Sequence, residues 1–133
     1  SVVAEPSATN LTFNTYDAAV FVFGFHDLYY AVEGWPAIDA DSLVPAIYNS
    51  VKPGEVIGIV DHAATLGVSV EGSNTLHLID PLIIHHDLGQ VGFFKGESDV
   101  LRNPDDYRIK SMSDPAIRCN TDRVVYLFRK PSI

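Results

Sequence analysis

Two histidine–aspartate pairs carry the chemistry that this sequence offers: His26 with Asp27, and Asp61 with His62. An imidazole titrates near neutral pH and can take a proton from a nucleophile, with a carboxylate to orient it. The same four side chains are nitrogen and oxygen ligands of the kind that bind zinc and related ions. They are also groups that cap strand ends by bonding to loop backbone, and this ordinary use outweighs the metal one, so no metal site is expected. No GxSxG elbow accompanies Ser69, Ser73 or Ser98, which leaves a serine hydrolase without support. A small hydrolase built on His62 with Asp61 is a weaker option.

Each pair follows an apolar run. Ala18 to Phe25 is rich in Val and Phe and reads as a strand buried on both faces, and Val56 to Val60 reads as a second buried strand. Open α/β sheets bind ligands just outside the carboxyl ends of their strands, which is where both pairs fall. Tyr29, Tyr30 and Trp35 follow the first pair and form a candidate aromatic wall for a planar substrate, or packing beneath a long loop. Ala63 to Leu78 is loop-like, a site-covering flap or a disordered stretch, and carries His77. His85 and His86 are adjacent on a helix and point about 100° apart, so they cannot share an ion and are read as exposed. Arg102, Asp105, Asp106 and Arg118 belong to a polar excursion read as a solvated charged loop.

The elements follow from punctuation and period. Asp39 to Gly54 reads as a helix with Leu43, Val44, Ile47 and Val51 on one stripe. Pro45 favours Ser42 as its cap, with Asp41 outside and Lys52, Pro53 and Gly54 closing it. Asp80 and Pro81 open a second helix that turns Leu82, Ile83, Leu88 and Val91 inward and stops at Gly92. Phe93 to Val100 and Val124 to Phe128 are the last two strands, joined without a clear helix and therefore antiparallel. Ser1 to Ala4 is a short candidate strand.

With 133 residues the chain is read as one α/β domain with a single core. A formal charge of −8 and nine scattered Lys and Arg weigh against nucleic acid. Cys119 stands alone, so no internal disulfide or cysteine metal cluster is expected. No apolar run reaches transmembrane length, and the start lacks the features of a signal peptide, so a soluble chain is expected without a compartment being fixed.

FHDLYY after a buried strand, VKPGE closing a helix, a strand ending in VDHAA, LHLID opening a helix, then GESDVLRNP, DPAIR and TDRVVYLFRKP resemble the carboxyl-terminal half of class I S-adenosylmethionine-dependent methyltransferases. The bacterial predicted-methyltransferase group is most similar. The resemblance implies a partial Rossmann-like sheet, mostly parallel with an antiparallel last strand, and methyl transfer to a small-molecule acceptor. It places Glu5 and Gly24 to Asp27, Phe25 among them, toward the cofactor and His77 at a position facing the pocket; the reading of the strand ends adds His26, Asp27, Asp61 and His62 as reacting groups and Tyr29, Tyr30 and Trp35 as the substrate wall.

The glycine-rich turn and the ribose-binding carboxylate of such folds have no counterpart, since the nine glycines include no GxGxG or GxGxxG. The domain is therefore expected to be truncated at its amino end and to bind S-adenosylmethionine weakly or not at all by itself. The Ala18 to Phe25 strand would then be an unpaired edge, which predicts a homo-oligomer. A non-catalytic, self-associating binding or structural module is the alternative to an enzyme.

Overall fold

The computed structural model describes residues 10–30, 32–34, 38–68, 70 and 74–132. The candidate strand at Ser1 to Ala4 lies outside them. Strands β1 (Tyr16–Val22), β2 (Val51–His62), β3 (Phe94–Ser98) and β4 (Arg123–Arg129) form one sheet in the order β1-β2-β4-β3. β1 and β2 are parallel, and β4 is antiparallel to both of its neighbours, so three strands run one way and the last opposes them. Helices α1 (Ala40–Ser50) and α2 (Pro81–Val91) make the two crossovers, and a 3₁₀ turn at His26–Tyr29 follows β1. The α/β class, the alternation and the antiparallel last strand agree with the sequence reading.

The core occupies one face of the sheet. Ile57 and Ile59 of β2 and Val124 and Phe128 of β4 alternate inward and join Val44, Ile47, Ile84 and Leu88 of the two helices in one buried cluster. Phe25 completes it, with its ring edge-on to Phe21 at 5.2 Å. On the other face Val20 pairs with Gly58, which pairs with Leu127. Val20 is 68% exposed, Leu127 51% and Phe94 55%, and among the described residues no helix covers them. The expectation that Ala18 to Phe25 is buried on both faces is thus corrected. β1 is an edge strand with one buried face, and it ends at Val22 because Phe23 turns the chain with a φ of 53°.

The helices also depart from expectation in detail. α1 is capped by Asp39, not Ser42: its carboxylate accepts the Asp41 N–H and the Ser42 hydroxyl. Pro45 therefore sits inside the helix and forgoes one backbone bond. Val51 to Gly54 do not close α1 but begin β2. The C-terminal carbonyls of α1 are met by Lys130, whose Nζ donates to Tyr48 O at 2.8 Å and Val51 O at 2.7 Å. α2 starts and stops as predicted, with Asp80 accepting the Leu82 N–H and Gly92 at a φ of 110°. Its inward pair is Ile84 and Leu88, one turn apart, while Leu82 faces solvent. His85 is half-buried against Tyr126 and Phe128 rather than exposed, and burial lowers its pKa.

The polar excursion is clamped at its root. Asp122 accepts from Arg102 Nε at 2.7 Å, Arg108 Nη2 at 2.8 Å and the Asn103 N–H at 3.0 Å. Burial alone would raise its pKa, but these donors hold it at about 2. Asp106 is buried and accepts the Asp122 N–H, and Arg108 also reaches Ala64 O. Arg102 and Asp106 thus tie the excursion to Asp122 just before β4, and Arg108 ties it to the chain just past β2, whereas Asp105 and Arg118 do face solvent.

Candidate functional site

Because β1 and β2 are parallel neighbours, their carboxyl ends open at the same edge of the sheet. The Phe23 N–H donates to Val60 O at 2.8 Å, which extends the pairing just past β1 and brings the following turn over Asp61. Asp61 is completely buried. Its carboxylate accepts the His26 N–H at 2.9 Å, the His62 N–H at 2.8 Å and the His26 ring at Nδ1, 2.7 Å away. Two backbone donors make this carboxylate an acceptor, so Nδ1 carries the hydrogen and Nε2 lies on the far side of the ring. There it meets Asp27 Oδ1 at 3.3 Å. Burial would lower the His26 pKa, but the hydrogen bond and charge of Asp61, with the charge of Asp27, raise it above the usual 6.5.

His62 is used differently. Its Nδ1 bonds Thr121 Oγ1 at 2.6 Å, its ring stacks on Phe23 at 4.5 Å, and Arg123 lies over that same phenylalanine. Burial drives its pKa down to about 4; Asp61 opposes this, and His26, Arg123 and His77 add to it. It is a neutral ring near pH 7. A hydrolase pairing of His62 with Asp61 is therefore contradicted, because that carboxylate holds the His26 ring and touches His62 only through its backbone.

His77 adopts a φ of 53° and presents its ring edge-on to His26, with centroids 5.6 Å apart, and 4.2 Å from Tyr30. Ligand atoms of His26, Asp27 and His77 all lie within 4.8 Å of one another. A small cavity of about 10 Å³, room for about one water, adjoins them, with His26, Tyr29, Val70, Asn74, His77 and Ile83 in its wall. The loop from Ala63 to Leu78 thus contributes part of the wall. Tyr29 donates its hydroxyl to Asp87 on α2, and burial followed by this bond raises its pKa. Its hydroxyl is committed to holding the turn, leaving Tyr30 as the tyrosine beside the histidines. Phe25, placed toward the cofactor by resemblance, has its ring wholly inside the core, so only Gly24 of that pair is partly accessible. Glu5 and Trp35 lie outside the described residues.

Sequence reasoning missed Phe23, Thr121 and Arg123. Thr121 reaches His62 because β4 pairs antiparallel with β2 in the register His62 to Arg123. The turn residues preceding that strand gave a local hint, but no local pattern encodes the register.

No protein-family model matches the chain, and no curated protein matches it. Solved structures do share its fold. A TehB-like S-adenosylmethionine-dependent methyltransferase from Corynebacterium glutamicum aligns with a TM-score of 0.52 and 12% identity over 97% of this chain and 55% of its own. The [4+2]-cyclase SpnF aligns with a TM-score of 0.58 and 12% identity over 98% and 55%. Phosphoethanolamine N-methyltransferase 2 from Haemonchus contortus, solved with phosphomonomethylethanolamine and S-adenosylhomocysteine, aligns with a TM-score of 0.54 and 13% identity over 97% and 36%. The chain spans about half or less of the length of these structures, and at such identities the likeness establishes the methyltransferase-type fold alone.

Proposed function

We propose that this chain is the acceptor-binding, carboxyl-terminal half of an S-adenosylmethionine-dependent methyltransferase domain acting on a small molecule. In this reading His26 receives the proton of the nucleophile being methylated. The observation that carries it is the buried Asp61 carboxylate, which fixes the His26 tautomer and leaves Nε2 as the unprotonated nitrogen of a neutral ring that lines the cavity. The nucleophile's hydrogen passes to Nε2 while Nδ1–H stays on Asp61, and both carboxylates stabilise the imidazolium that forms. His62, neutral and bonded to Thr121, supports the wall. Tyr30 and His77 present ring faces and edges to the acceptor.

S-adenosylmethionine supplies an electrophilic methyl group where it is bound, yet the described residues do not fit it. At about 10 Å³ the cavity is far smaller than the roughly 300–1,000 Å³ typical of small-molecule sites. Phe25 is inaccessible, and the sequence has no GxGxG or GxGxxG turn to hold the cofactor. The exposed apolar sheet face favours a second reading, a non-catalytic module that self-associates.

Nuclear magnetic resonance of the histidine rings tests the proposal. Small phenols and amines are expected to shift His26 and His77, whereas S-adenosylmethionine shifts neither below about millimolar concentration, because the lost hydrogen bonds cost on the order of 1 kcal/mol each. Acceptors that leave both rings untouched, or micromolar cofactor binding, would overturn it.

A further inference from the structure

We propose that His26, Asp27 and His77 form a binding site for a divalent transition-metal ion of the zinc class, with Asp61 as the carboxylate that orients the histidine ligand. Two ligands of a tetrahedral zinc ion, each about 2.0–2.1 Å from the metal, stand about 3.3 Å apart. His26 Nε2 and Asp27 Oδ1 are 3.3 Å apart. His77 brings a third ligand atom within 4.8 Å of both. Its left-handed φ of 53° turns the loop so that the ring meets His26 at 88°.

The tautomer favours an ion as well. Asp61 takes the Nδ1 hydrogen at 2.7 Å, so in the neutral ring Nε2 keeps its lone pair, 3.3 Å from a carboxylate oxygen. A nitrogen lone pair and a carboxylate oxygen this close are bridged by a cation, either a proton or a metal ion. This arrangement of buried carboxylate, histidine and outward Nε2 is the one that orients imidazole ligands in metal sites. Two nitrogens and one oxygen suit zinc, cobalt or iron(II) rather than magnesium or calcium, which prefer oxygen alone. The adjoining cavity, about 10 Å³, leaves room for a water as a further ligand. The site shares one lone pair with the proton transfer proposed above, so ion and proton compete for it. Binding of the metal alone tests the ion whether or not methyl transfer occurs.

The purified chain, first stripped with a chelator, is titrated with Co²⁺ as the probe. Visible d–d bands stronger than those of the aqueous ion should saturate at one equivalent and be displaced by Zn²⁺. Asp27→Asn and His77→Gly should each weaken Co²⁺ binding more than about tenfold, and Asp61→Asn by about 10–100-fold. His86→Ala, on the exposed side of α2, should leave it unchanged. Glycine accepts the φ of position 77 without strain, so circular dichroism of His77→Gly should stay native, and Asp27→Asn carries the test if it does not. Absence of saturable bands, or bands that persist in Asp27→Asn, would overturn the site.

Discussion

His26 and His62 share one buried neighbourhood and titrate in opposite directions. The His62 pKa falls from 6.5 to about 4 on folding, so between these values the unfolded chain binds more protons. Stability supplied by neutral His62 is complete above pH 6.5 and declines as pH falls toward 4, by up to about 3 kcal/mol. His26, raised above 6.5, contributes stability that is complete below that pH and is lost as pH rises through its folded pKa. His62→Asn, which keeps a polar group for Thr121, should flatten the decline in urea midpoint between about pH 6.5 and pH 4. A slope equal to that of the parent would show that another group controls it. Residue types made His26, Asp61 and His62 visible as candidates in the sequence. Which histidine Asp61 serves was not visible, since chain adjacency suggests His62 and the turn after β1 delivers His26.

At the scale of elements, the α1–β2 junction rests on a cation that no local pattern announces. Lys130 Nζ reaches two carbonyls at the end of α1, and its stem places it over the Tyr48 ring at 4.5 Å. Lys130→Met keeps the stem but leaves buried carbonyls without a donor, which should destabilise the protein by about 1–3 kcal/mol in chemical denaturation. A midpoint within error of the parent would mean that water replaces the ammonium. Caps and breaks within a few residues of one another, such as Asp80, Pro81 and Gly92, were legible because their chemistry is local. Asp39 was missed because Pro45 argued for a later start. The Lys130 cap was missed because it spans most of the chain.

For the whole molecule, alternation and the buried runs were enough to specify an α/β sheet with His26, Asp61 and His62 grouped at its strand ends. The sidedness was not legible, because an apolar run such as Ala18 to Phe25 does not say how many faces will be covered. Among the described residues, Val20, Leu127 and Phe94 share a face that no helix covers, beside an edge with no further strand, and we expect a homodimer to form there. Sedimentation should show dimer at tens of micromolar, roughly, and Val20→Glu should give monomer with native circular dichroism. A monomeric parent would refute this. The same face sets how the assembly responds to temperature. Apolar contact between water-exposed faces is driven mainly by the entropy of released solvent and weakens on cooling, with a negative heat-capacity change on association. A dimer held by Val20, Leu127 and Phe94 should accordingly be tighter at room temperature than on ice, and chilled storage would dissociate it.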